Sequence, residues 1–81
     1  MKVYRIRSND LWYCTSYSYS KDEDDGVLFK NRSKCEKTVK NYKSSYARDT
    51  DTSDWIELRR SFWASAVIEE YELVRVVSVP A

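Results

Sequence analysis

Val67 to Val79, VIEEYELVRVVSV, is the longest run of the chain that reads as a single element. Val, Ile, Tyr and Leu dominate it, and no Gly, Asn or Asp interrupts it before Pro80. Such residues fit a pleated, half-buried surface, so the run predicts a long β-strand. A strand of that length needs neighbours, and the rest of the chain must supply a sheet around it. Its odd positions (Val67, Tyr71, Leu73, Val77, Val79) are mostly apolar, whereas the even ones begin with Glu70 and Glu72 and end with Val74 and Val76. The second half is therefore apolar on both faces. That pattern calls for an interior place in the sheet or for cover from a second copy of the chain, a homodimer seam.

The remaining residues suit one domain, 1–81, whose core is thin at this size. Three Trp, seven Tyr and two Phe compensate, since each ring buries roughly 150–250 Å². Lys2 to Arg7 alternates and reads as a strand with Tyr4 and Ile6 inward. After the turn cluster Ser8-Asn9-Asp10, Leu11 to Tyr19 reads as a second strand in an antiparallel hairpin with the first. One of its faces is a tyrosine ladder (Tyr13, Tyr17, Tyr19), and the other runs from Trp12 through Cys14 to serines. An acidic turn ending at Gly26 leads to a short third strand, Val27-Leu28-Phe29.

Ser33-x-x-Glu36 has the form of a capping box and is expected to open the main helix. Cys35, Val39, Tyr42 and Tyr46 then share one stripe at i, i+4, i+7 and i+11. This stripe is expected to meet Tyr4, Ile6, Tyr71 and Leu73. Asp54 and Glu57 predict a second, short helix with Trp55, Leu58 and Phe62 on its inner side. The expected fold is α+β: a small antiparallel sheet of three to four strands with one main helix packed on one face, in the order β-β-β-α-(α)-β.

Charge divides the surface. The chain has a formal net charge of +1, too little for a uniform attraction to nucleic acid or membrane. Locally, Lys30, Arg32, Lys34, Lys37, Lys40, Lys43 and Arg48 face one acid, Glu36. These residues can track a phosphate backbone, with Tyr17, Tyr19 and Tyr46 as stacking faces for a single strand. The competing expectation is an ordinary solvated helix, paired internally with the acidic loops. Those loops are Asp22, Glu23, Asp24 and Asp25, and then Asp49, Asp51 and Asp54. They solubilise the chain, or present a phosphate-like pattern to a protein that binds nucleic acid. An EF-hand registered on Gly26 fails, because Lys21 and Arg32 fall at ligand positions. No metal or other cofactor is expected.

The absence of His removes the commonest general base and every Ser/His or Cys/His pair, so an enzyme is not expected. Glu70 and Glu72 are read as cross-strand partners of Arg5 and Arg7. Cys14 and Cys35 are read as buried, reduced thiols. No leader-like or membrane-spanning run is visible, so a cytoplasmic protein without membrane contact is expected.

In Trp12-Tyr13, Gly26-Val27-Leu28-Phe29, the helix from Ser33 and Ile68-Glu69-Glu70-Tyr71-Glu72-Leu73, the chain resembles small bacteriophage proteins with an N-terminal aromatic hairpin and a closing "IxEYEL"-like strand. The resemblance implies phage origin and action in the host cytoplasm, by inhibiting or redirecting a host protein or defence complex. The acidic loops and exposed tyrosines, Tyr17 and Tyr19, would form the working surface. The alternative is a nucleic-acid-binding accessory protein that uses the lysine-rich helix.

Overall fold

The computed structural model describes residues 1–15 and 18–72. They form an antiparallel sheet of strands β1 (Lys2–Ser8), β2 (Leu11–Thr15), β3 (Ser18–Ser20) and β4 (Val67–Glu72), in the order β3-β2-β1-β4. Two helices, α1 (Arg32–Arg48) and α2 (Asp54–Ala64), and a 3-10 turn at Glu23–Asp25 complete it. This is the α+β fold read from the sequence. The apolar stretch 74–79, with the dimer seam it suggested, lies outside the described residues, as do Tyr17 and Leu73.

The β1–β2 hairpin turns on Asn9 and Asp10, and Asn9 adopts a φ of 54°, which Asn tolerates better than other side chains do. The stretch expected to form one strand from Leu11 to Tyr19 is two. The chain reverses after Thr15, so that Tyr19 pairs with Tyr13 and Ser18 with Thr15, with an irregularity between Tyr13 and Thr15. Residues 27–29 contribute one bridge rather than a full strand. Tyr4 and Phe29 exchange both backbone hydrogen bonds, each 2.8 Å, and Val27 N–H donates to the Tyr13 carbonyl. β1 and β2 are paired near their turn, at Arg7–Trp12 and Ser8–Leu11. Further along, residues 27–29 bond to both.

Register decides which side of β4 meets the helices. Ile6 pairs with Ile68 and Tyr4 with Glu70, so the even residues of β4 share the face of β1 that carries Tyr4 and Ile6. Ile68 therefore packs against the core, and Tyr71, expected there, lies on the opposite face beneath Arg5. The helical stripe behaves as read: Cys35 and Tyr46 are buried, and Val39 and Tyr42 pack against them. The cap differs. Asn31 precedes the helix in extended backbone, and its side chain accepts the Lys34 N–H at 3.2 Å. Asn is at least as good a cap as Ser. The helix thus starts at Arg32, Ser33 falls inside the first turn, and Glu36 pairs with Arg32 at 2.9 Å instead of closing a box.

In α2 the inward residues are Ile56, Phe62 and Trp63. Trp55 and Leu58, expected inside, are 53% and 54% exposed. The inner side is dominated by Trp63, the largest fully buried side chain. It stacks on Tyr42 at 4.8 Å, meets Tyr13 edge-on at 5.3 Å, and donates its indole N–H to the Tyr19 hydroxyl at 3.1 Å. Ile56, two turns before Trp63 (i, i+7), faces inward with it, whereas Trp55, two turns before buried Phe62, stays exposed in the first turn with the Arg59 guanidinium over its ring.

Candidate functional site

The acidic segments are folded around their own carboxylates. Asp22 accepts the Asp24 N–H at 2.9 Å and so caps the 3-10 turn. Asp25 accepts from the Ser20 hydroxyl at 2.8 Å. Glu23 lies 3.5 Å from the Arg5 guanidinium, whose side chain is only 14% exposed. Gly26 closes this turn against the outer face of the sheet. A Cβ there would stand 3.1 Å from the Glu23 carbonyl, 3.2 Å from Arg5 and 3.3 Å from Trp12, so a larger residue would have to push these neighbours back by a few tenths of an ångström.

The second acidic segment is an Asx-turn relay. Asp49 accepts the Asp51 N–H and Asp51 accepts the Ser53 N–H, each at 2.9 Å. The Ser53 backbone N–H, more than any other contact, holds the Asp51 carboxyl below the usual range. Arg60 clasps the loop. Its guanidinium donates to the carbonyls of Tyr46 (3.1 Å), Asp49 and Asp51 (3.1 Å) and pairs with Glu57. Sequence reading missed Arg60. The available signal was its place on the inward stripe of α2, between Ile56 and Trp63 at i, i+4 and i+7, where a charged residue needs partners. Asp24 and Asp54 make no such contact among the described residues.

The tyrosines do not form one exposed ladder. Tyr13 is buried. Tyr19 is half-buried against Phe62, with ring centroids 4.4 Å apart. Burial pushes its hydroxyl up to about 12, the Trp63 hydrogen bond opposing the rise. Tyr46 is buried and stacked with Tyr42.

The charges of the sheet pair in a register different from the expected one. Arg5 and Arg7 share a face with Glu69, not with Glu70 and Glu72, and Arg7 meets Glu69 at 2.7 Å. Glu70 takes Lys2 at 3.7 Å and Arg32 at 3.9 Å, and Glu72 takes the N-terminal amine at 3.3 Å. Cys35 is fully buried, and burial raises its thiol to about 11. Cys14, expected in the core, sits half-buried on the other face of β2 with Trp12, its thiol also raised by burial. Both cysteines are free.

The lysine helix stands apart from all this pairing. Lys34, Lys37, Lys40 and Lys43 are exposed, and among the described residues no carboxylate lies within ion-pair distance of any of them. Lys30 is exposed just before the Asn31 cap. Arg32 differs, being held by Glu36 and Glu70. Of the loop carboxylates that were to neutralise this face, Asp22, Asp49 and Asp51 accept backbone N–H groups of their own turns, Asp25 takes Ser20 and Glu23 takes Arg5. What remains is a fan of solvated ammonium groups over the outer half of a helix, an arrangement suited to binding an extended anion and unsuited to holding a metal.

Among the described residues no group of three or more His, Cys, Asp or Glu is placed to hold a metal ion. No helix among them is long and apolar enough to cross a membrane. Comparison with protein-family models, with curated proteins and with solved structures returns no match.

Proposed function

We propose that the protein is a non-enzymatic binding module whose working surface is the lysine-bearing face of α1, and that its ligand is a polyanion of the nucleic-acid type. The observation that carries this reading is the four lysines left without acidic partners among the described residues, while Glu36 on the same helix pairs with Arg32 and Glu23 with Arg5. Charge that is not neutralised internally is available to displace counterions from a phosphate backbone. A salt titration of DNA binding tests it. Four phosphate contacts imply a log–log slope of about −3.6, a loss of roughly 150-fold between about 50 and 200 mM salt. No binding at the lower salt refutes the proposal.

A protein partner is the second reading, and the resemblance to phage proteins that act on host proteins belongs with it. Trp55 and Leu58 support it as exposed apolar side chains on α2, Leu58 lining a groove with Leu11 and Phe62. The acidic loops and Tyr19 support it less, because their polar groups already serve the fold. Retention of a host protein by the wild type and not by Trp55→Ala would favour this reading. Equal retention by the two would count against it.

A further inference from the structure

We infer that the polyanion is double-stranded DNA, and that the outward ridge of α1 lies in its major groove. This rests on the polyanion reading of the lysine face and names the ligand class.

The helix is 17 residues long, about 25 Å at 1.5 Å per residue. Cys35, Val39, Tyr42 and Tyr46 mark the direction of the core. At about 100° per residue, the opposite direction is occupied by Ser33, Lys37, Ser44 and Arg48. Lys34 and Asn41 stand to one side of that ridge and Lys40 to the other, with Lys43 further round. All of these are exposed. They are hydrogen-bond donors, and from Lys34 round to Lys40 the arc holds no carboxylate. Glu36 stands between Lys40 and Lys43 and is engaged by Arg32.

Each part of this pattern has a use in a groove. The major groove of B-DNA, about 12 Å wide, admits an α-helix, and Asn, Arg and Lys are the side chains that read adenine and guanine edges there. Lysines that diverge to both sides of the ridge reach the two phosphate walls. The other nucleic-acid forms fit less well. Single strands are bound by tracking the backbone while bases stack on open aromatic faces. Tyr46 is buried, Tyr19 is packed against Phe62, and the exposed ring of Trp55 carries the Arg59 guanidinium over it at 4.5 Å. Duplex RNA presents a major groove too narrow for side chains to read. The acidic loop that follows Arg48 bounds the contact at the C-terminal end of the helix.

The test is fluorescence anisotropy at about 50 mM salt with a mixed-sequence DNA duplex two helical turns long, one of its single strands, and the corresponding RNA duplex. The duplex DNA is expected to bind at least ~10-fold more tightly than either of the others, as a groove-seated helix requires. Methyl green, a major-groove ligand, is expected to compete, and netropsin, a minor-groove ligand, to leave binding unchanged. Lys37→Ala with Asn41→Ala should lower duplex affinity, and Lys43→Ala should reduce the salt slope by about 0.9. These positions are solvent-exposed, and circular dichroism confirms that each variant is folded. Equal or tighter binding of the single strand or the RNA duplex overturns the groove assignment and leaves the polyanion reading standing, as does competition by netropsin alone. Failure of all three nucleic acids to bind overturns both.

Discussion

Replacing Arg60 tests what holds the two helices and the loop between them. Its guanidinium makes two partly buried contacts, to the carbonyls of Tyr46 and Asp49, and an exposed one to that of Asp51, and it pairs with Glu57. The side chain is 28% exposed, so the low end of the range for charged hydrogen bonds applies, about 1.5 kcal/mol for each partly buried contact. The exposed contact and the ion pair add a few tenths each. Arg60→Ala is therefore expected to cost about 3 kcal/mol. At about 4–8 °C per kcal/mol for a domain of this size, the melting temperature falls by roughly 10–25 °C. Urea unfolding followed by circular dichroism measures the loss. Glu57→Gln, which removes only the ion pair, should cost less than about 1 kcal/mol. Arg60→Lys should recover less than half the loss, because an ammonium cannot fork to separate carbonyls. A loss below about 0.5 kcal/mol for Arg60→Ala, or one equal to that of Glu57→Gln, would refute the clasp.

Alkaline pH should destabilise the fold in two overlapping steps. Cys35 and Tyr19 stay neutral in the folded state to about 11 and about 12, whereas their ordinary values are 9.0 and 10.0. Their contribution is complete below the ordinary values and is lost as pH rises through the folded ones. Unfolding free energies measured across that range should fall, with the onset moving upward in Cys35→Ala; a flat profile would contradict the burial argument. In thiol labelling of the native protein, half-buried Cys14 should react and fully buried Cys35 should react only as fast as the chain opens. Equal labelling rates would show that the α1 stripe is not packed. Gly26→Ala should cost roughly 1–3 kcal/mol by crowding, since the 3.1 Å contact is to backbone that cannot rotate away. A thermal melt unchanged from wild type would show that the turn yields freely.

The fold was legible where one signal sufficed. Alternation gave β1, and the 3.6-residue period gave the inner stripe of α1 from Cys35 to Tyr46. The errors arose where two plausible signals competed. Asn31 and Ser33 are both caps, and nothing local ranks them. Trp55 and Trp63 lie on neighbouring sides of one short helix, and only the tertiary partners Tyr13, Tyr19 and Tyr42 select Trp63. Pairing along β4 depends on register, and a shift of one residue exchanges the faces. That parity placed Ile68 rather than Tyr71 inside and gave Arg7 to Glu69. The lysine face was visible as composition. Its lack of partners was not, because that depends on where Arg5 and Arg60 send their guanidinium groups and on how Asp22, Asp49 and Asp51 cap their own turns.

The central place of β1 has a consequence for synthesis. Its partners on one side, β2 and Phe29, follow soon after it in the chain, but its other edge pairs with β4, Lys2 opposite Glu72 and Ile6 opposite Ile68. As the chain leaves the ribosome, the hairpin and the helices can form in turn while that edge of the first strand stays open. Pairings so distant in sequence are slow to close, and an unpaired edge invites other chains. A nascent chain stalled before Val67 would thus carry a sticky flank. Release of β4 is the event that commits this protein to being one molecule rather than the start of an aggregate.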